Sequence, residues 1–131
     1  MRKPIRRVLG VILPVLVAAT VQCADDSTGP PPGAGTLSVT IVGPAVVEGA
    51  ALLEVDGGNV TAVSAPAGTV LTDRSGGRLR VALLLATPGI LRLDVSVADT
   101  TKGIDAVLLE VADSLNALRP SLGSYAVAVS R

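Results

Sequence analysis

The sequence predicts an all-β protein: one small two-sheet sandwich, jelly-roll or immunoglobulin-like, preceded by an export segment and a flexible linker. Three observations predict it. From Leu79 to Leu85, and again from Leu91 to Val97, apolar side chains recur at every second position. That is the period of a strand with one buried face, not of a helix. Short runs of this kind follow one another along the chain, separated by Gly-Gly, Pro-Gly and Asp-Gly steps that read as turns. The apolar content is aliphatic, with no Phe, no Trp and one Tyr. The core must therefore be built from Val, Leu, Ile and Ala, which pack well on a pleated surface.

The first element is not part of that sandwich. Arg2, Lys3, Arg6 and Arg7 precede the apolar run Val8 to Ala19. A positive start and a short apolar middle make residues 1–22 a signal peptide, too short for a comfortable transmembrane helix. The sole cysteine, Cys23, follows directly, and then Ala24 to Gly35 reads Ala-Asp-Asp-Ser-Thr-Gly-Pro-Pro-Pro-Gly-Ala-Gly. With no large apolar residue this stretch cannot pack. Residues 23–35 read as an extended Pro/Gly spacer, and residues 36–131 as the sandwich.

Within the domain, Leu37, Val39 and Ile41 alternate along a first strand, Thr36 to Val42, which Gly43-Pro44 interrupts. Ala50 to Val55 is a second strand. It ends in Asp56-Gly57-Gly58-Asn59, a hairpin turn supplying positive φ angles, and Val60 to Ser64 returns. Thr69 to Thr72 is a short strand, and Asp73 to Gly77 a turn. Arg78 to Ala86 and Ile90 to Val97 form a central antiparallel hairpin about Thr87-Pro88-Gly89, with Arg78, Arg80 and Arg92 on one outer face beside Asp94. Ile104 to Val111 is the next strand. Ala112 to Gly123 is a long loop with a helical turn over Ser114 to Leu118. Ser124 to Ser130 closes the fold with Tyr125, Val127 and Val129 inward. The total is roughly seven to nine strands, as a sandwich requires.

Length and charge bound the function. Of 131 residues, about 100 remain after the export segment, one domain's worth. The formal net charge is zero, but four of the eleven basic side chains lie in that segment and all eleven acidic ones lie beyond it. The remainder carries seven basic against eleven acidic groups, a net charge of −4. Such a balance argues against nucleic acid as a partner. The chain has no His, so the commonest acid–base group and metal ligand is missing.

No catalytic constellation emerges. Asp94, Asp99, Asp105, Glu110 and Asp113 cluster in sequence, but nothing marks two of them as a glycosidase pair, and solvated strand and loop charges account for them. Asp56-Gly-Gly-Asn59 and Asp99-Thr-Thr-Lys102 offer too few oxygens for calcium. Ser114 and Ser121 lack an activating base, and Lys102 sits between Thr101 and Gly103 in a polar loop. Asn59-Val60-Thr61 matches a glycosylation acceptor and reads better as a turn exit. A sugar platform needs exposed aromatic rings, and Tyr125 is assigned inward. The expectation is a non-enzyme with no metal and no cofactor.

Two resemblances extend this reading. A single Cys directly after an apolar signal, followed by a polar tether, resembles a bacterial lipoprotein processing site. The resemblance implies that Cys23 becomes the first mature residue and carries lipid, anchoring the protein in the cell envelope outside the cytoplasm. Here Thr20, Val21 and Gln22 precede the cysteine where the family has Leu, a small residue and Gly or Ala. Ordinary cleavage after Ala19 is the rival, giving a secreted protein with a free thiol. Further on, Gly49 to Asp56 followed by Val60 to Ser64, and Gly76 to Leu83 followed by Pro88 to Val95, are similar to the cohesin-type module of secreted bacterial proteins, related in shape to carbohydrate-binding modules. That likeness implies extracellular binding. The expectation is a membrane-anchored lipoprotein carrying a non-catalytic β-sandwich for protein interaction or structure, its partner another envelope or extracellular protein. The alternative is a secreted module for cell-surface or extracellular glycans, with carbohydrate as the partner.

Overall fold

The computed structural model describes residues 32–44 and 47–131. The expected signal peptide, Cys23 and the expected linker as far as residue 31 lie outside the described residues. The described residues form eight strands: β1 (Gly35–Val42), β2 (Glu48–Asp56), β3 (Val60–Ser64), β4 (Gly68–Ser75), β5 (Arg78–Gly89), β6 (Leu91–Val97), β7 (Ala106–Asp113) and β8 (Ala126–Ser130). They form two four-stranded antiparallel sheets that pack face to face, the two-sheet sandwich expected. The first has the order β3-β6-β1-β8, the second β4-β5-β2-β7. Each inner face supplies its alternate residues to one aliphatic core. Val39, Leu93 and Val95 come from the first sheet and Leu53, Val55, Val81 and Leu83 from the second, all fully buried.

The connectivity differs from the sequence reading in one main respect. Residues 78–97 are not a hairpin. β5 lies in the second sheet and β6 in the first, so the chain arches between layers and the two strands face each other across the core. An alternating pattern is the same for both arrangements, since each buries one face. The joint is Ile90 alone: the expected turn Thr87-Pro88-Gly89 is instead the end of β5, with Gly89 paired to Glu48, which leaves no two-residue turn for a hairpin. β4 and β5 do form a hairpin, the only one between consecutive strands among the described residues, and there Gly76 and Gly77 have φ 59 and 80.

The Asp56–Asn59 turn is likewise an arch rather than a hairpin, because β2 and β3 belong to different sheets. Gly57 and Gly58 are not among the positive-φ residues. Gly57 instead leaves room for Arg74: a Cβ there would stand 2.8 Å from its Nη1 and 3.0 Å from the Gly77 carbonyl oxygen, and the guanidinium donates to the carbonyls of Gly57 (2.8 Å) and Val60 (3.1 Å). The three arginines grouped on one face are also separated. Arg78 and Arg80 pair with Glu54 on the second sheet, while Arg92 pairs with Asp94 on the first. No helical turn forms over Ser114 to Leu118. Asp113 caps a turn there, accepting from the Leu115 and Ala117 amides at 2.9 Å each, and Leu118 bridges back to Ala112.

The sandwich has two distinct poles. β1 starts where β6, β2 and β8 end. At this pole the Gly33 carbonyl accepts from the Thr100 amide at 2.9 Å, so the spacer meets the domain here. Asn59 closes the same pole. Its Nδ2 donates to the carbonyls of Asp99 (2.7 Å) and Lys102 (3.2 Å), and its Oδ1 accepts from the Asp99 amide (3.0 Å). That explains the asparagine in the Asn-Val-Thr triplet as a structural bracket.

Candidate functional site

Two features stand at the pole opposite the spacer. The first is a buried carboxylate. By the alternation of β2, which sends Ala51, Leu53 and Val55 inward, Glu48 belongs on the outside. It is instead only 3% exposed. The register of β2 against both neighbours shifts between Glu48 and Ala50, and this bulge turns the side chain inward. Gly49 permits it, since a Cβ there would meet the Asp113 carbonyl oxygen at 2.6 Å.

Three donors satisfy the carboxylate. Tyr125 Oη donates to Oε1 at 2.6 Å, and Arg119 donates from Nε to Oε2 and from Nη2 to Oε1, each at 3.2 Å. The fork geometry and opposite charge make this a strong contact. It ties the start of β2 to the segment between β7 and β8. Tyr125 lies with its ring over Gly43, where any Cβ would collide with it. The glycine next to Pro44 is thus the seat of the only tyrosine.

The electrostatics follow from these contacts. The bond to Glu48 holds the Arg119 guanidinium above its ordinary pKa. Burial, then the bond to Glu48, raises the Tyr125 phenol above its ordinary 10.0. A raised folded-state value contributes stability that is present below pH 10 and is lost as pH climbs through the folded pKa. Because the chain has one tyrosine and no tryptophan, an ultraviolet absorbance titration reads this group alone. The native protein is expected to ionise above pH 10, and the unfolded chain at the ordinary value. A native titration at the ordinary value would contradict the contact.

The second feature is the outer face of the second sheet. Its cross-strand rows at this pole are Leu71, Ala82, Leu52 and Glu110, then Thr69, Leu84, Ala50 and Ala112. With Leu118, all of these but Thr69 line an open groove of about 370 Å³. Leu71 is 63% exposed, Leu118 64% and Leu84 46%. Toward the spacer pole the same face becomes charged: Asp73, Arg80 and Glu54 stand in one row, Ser75, Arg78 and Asp56 in the next. The outer face of the first sheet is different in kind, carrying Ser38, Thr40, Arg92, Asp94 and Ser96 in its middle strands. One sheet is surfaced for water and the other only over half its length.

The five carboxylates adjacent in sequence are not gathered. Asp94 is on the first sheet and Glu110 on the second. Asp99 sits in the spacer-pole loop, where the Thr101 hydroxyl and amide bond its carboxylate and hold it below its ordinary pKa. Asp113 is lowered by the Ala117 and Leu115 amides. Among the described residues no group of three or more His, Cys, Asp or Glu side chains could hold a metal. Both Glu48 oxygens are occupied and its charge is matched by Arg119, an arrangement that clamps rather than abstracts protons. The alternating pattern does not single out Glu48, whose only signal in the sequence is Glu-Gly at a strand entrance. Comparison with protein families, with curated proteins and with solved structures gave no match.

Proposed function

We propose that this chain is a membrane-anchored envelope lipoprotein, with lipid on Cys23, whose sandwich is a non-catalytic protein-interaction module. The observation that carries the interaction reading is the half-apolar outer face of the second sheet. Contiguous exposed leucines on a small soluble domain mark contact surfaces, whereas single ones need no explanation. Placement favours a protein over the membrane as what they meet, because the spacer enters at the charged pole and the leucines lie toward the other. Tyr125, the one ring available to a sugar, is spent on Gly43 and Glu48, which favours the protein partner over the glycan.

Two measurements test this. Globomycin, or Cys23→Ser, is expected to block maturation and abolish a lipid mass increment at residue 23. An unchanged mass with release into the medium would replace the anchored reading by the secreted one. A photo-reactive residue at Leu84 is expected to cross-link another protein, lost when Leu71 is changed to Asp, while the same probe at Arg92 on the first sheet does not. Equal labelling from both faces, or none, would remove the interaction reading.

A further inference from the structure

We propose that β8 is a pairing edge for a second copy of this chain, joining two sandwiches through one continuous sheet. Each sheet has two edge strands, and an open edge is a template for another strand unless it is guarded. Three of the four are guarded. β3 runs into Pro66, and the Arg74 guanidinium occupies its Val60 carbonyl. β4 carries Asp73 and Arg74. β7 has a register shift opposite Leu52 and Leu53. Its C-terminal end is covered by the returning chain, with Arg119 N bonded to the Val111 carbonyl at 2.8 Å and Ala117 O to the Asp113 amide at 3.0 Å.

β8 has none of these devices. It reads Ala-Val-Ala-Val-Ser, without charge or proline, and its register with β1 is unbroken from Ser38↔Ser130 to Val42↔Ala126. Among the described residues its other edge makes no backbone hydrogen bond. Val129 belongs to the inward set yet is 42% exposed, so the core is open along this side.

The occupant must cover Val129 with an apolar side chain in register and tolerate small neighbours outside. A second β8 does both. Laid antiparallel about a two-fold axis at Ala128, Val127 of each copy stands opposite Val129 of the other, and Ala126 opposite Ser130. A two-fold contact needs a strand that reads alike in both directions, and the small–Val–small–Val–small pattern does. The backbone bonds supply affinity and the paired valines register. The surface is small, well under the roughly 1,200 Å² of a stable complex, so association is reversible and concentration-dependent.

The axis makes the test direct, because Ala128 faces its own copy at a separation a disulfide can span. The full chain carrying Ala128→Cys, purified in detergent from the cells producing it, is oxidised beside the unsubstituted chain, which controls for Cys23. Ser64→Cys on the β3 edge serves as a second control. The expected result is a covalent homodimer joined at residue 128, at least about tenfold more than from Ser64→Cys, as pre-paired thiols give. Adding Val129→Lys should abolish it while far-ultraviolet dichroism is unchanged. A yield no higher than the Ser64→Cys control, or a link from residue 128 to a different polypeptide, would overturn the proposal.

Discussion

Replacing Glu48 with alanine is expected to lower the free energy of unfolding by about 3 kcal/mol, near the lower end for breaking a buried ion pair. The carboxylate is almost fully buried, and its removal strands two donors, the Arg119 guanidinium and the Tyr125 hydroxyl. The lower end applies because the Arg119 side chain is 32% exposed and can turn to water. The loss comes from unpaired partners more than from the pair itself. Replacing the whole cluster (Glu48→Met, Arg119→Met, Tyr125→Phe) is therefore expected to recover most of it. Urea unfolding followed by far-ultraviolet dichroism measures both. A single substitution within about 0.5 kcal/mol of the native protein, the range of ordinary surface changes, would show that the cluster holds nothing together.

Leu53→Ala and Leu84→Ala should differ sharply, although they exchange the same atoms on the same sheet. Leu53 is 0% exposed at the centre of β2, between β5 and β7. Its truncation leaves a void that both layers line, and about 3–4 kcal/mol is expected to be lost. Leu84 projects from the opposite face of β5 and is expected to change stability by no more than about 0.5 kcal/mol. The same change should weaken cross-linking from that face to a partner. Equal losses in unfolding free energy would mean that Leu84 is part of the core, and the docking surface would lose its main residue.

These residues also show how much the chain announces. Leu53, Val81, Leu93 and Val95 are legible as core because period-two burial depends only on the strand. All eight strands fall within three residues of where alternation puts them, and β4 runs on to Ser75 because its exposed half has no apolar signal. Which strands pair is not legible. Residues 78–97 alternate equally well as a hairpin or as an arch, and only the sheet order separates the two. Glu48 is invisible for a related reason. A bulge breaks the alternation on which inward and outward assignments rest, and its partners Arg119 and Tyr125 are far along the chain. The exposed groove is half legible: Leu52, Leu84 and Ala82 occupy outward positions, but their union with Leu71 and Leu118 needs the sheet order.

The position of β1 has a mechanical consequence. It is the strand that continues from the spacer, and it lies inside its sheet, with seven register pairs to β6 and five to β8. A pull from the spacer runs along the strand, whereas hydrogen bonds in an antiparallel sheet run across it. The bonds on both sides are then loaded in shear and must yield together instead of unzipping singly. Force applied where the chain enters β1 would therefore load this sheet in its shear direction rather than peel it open.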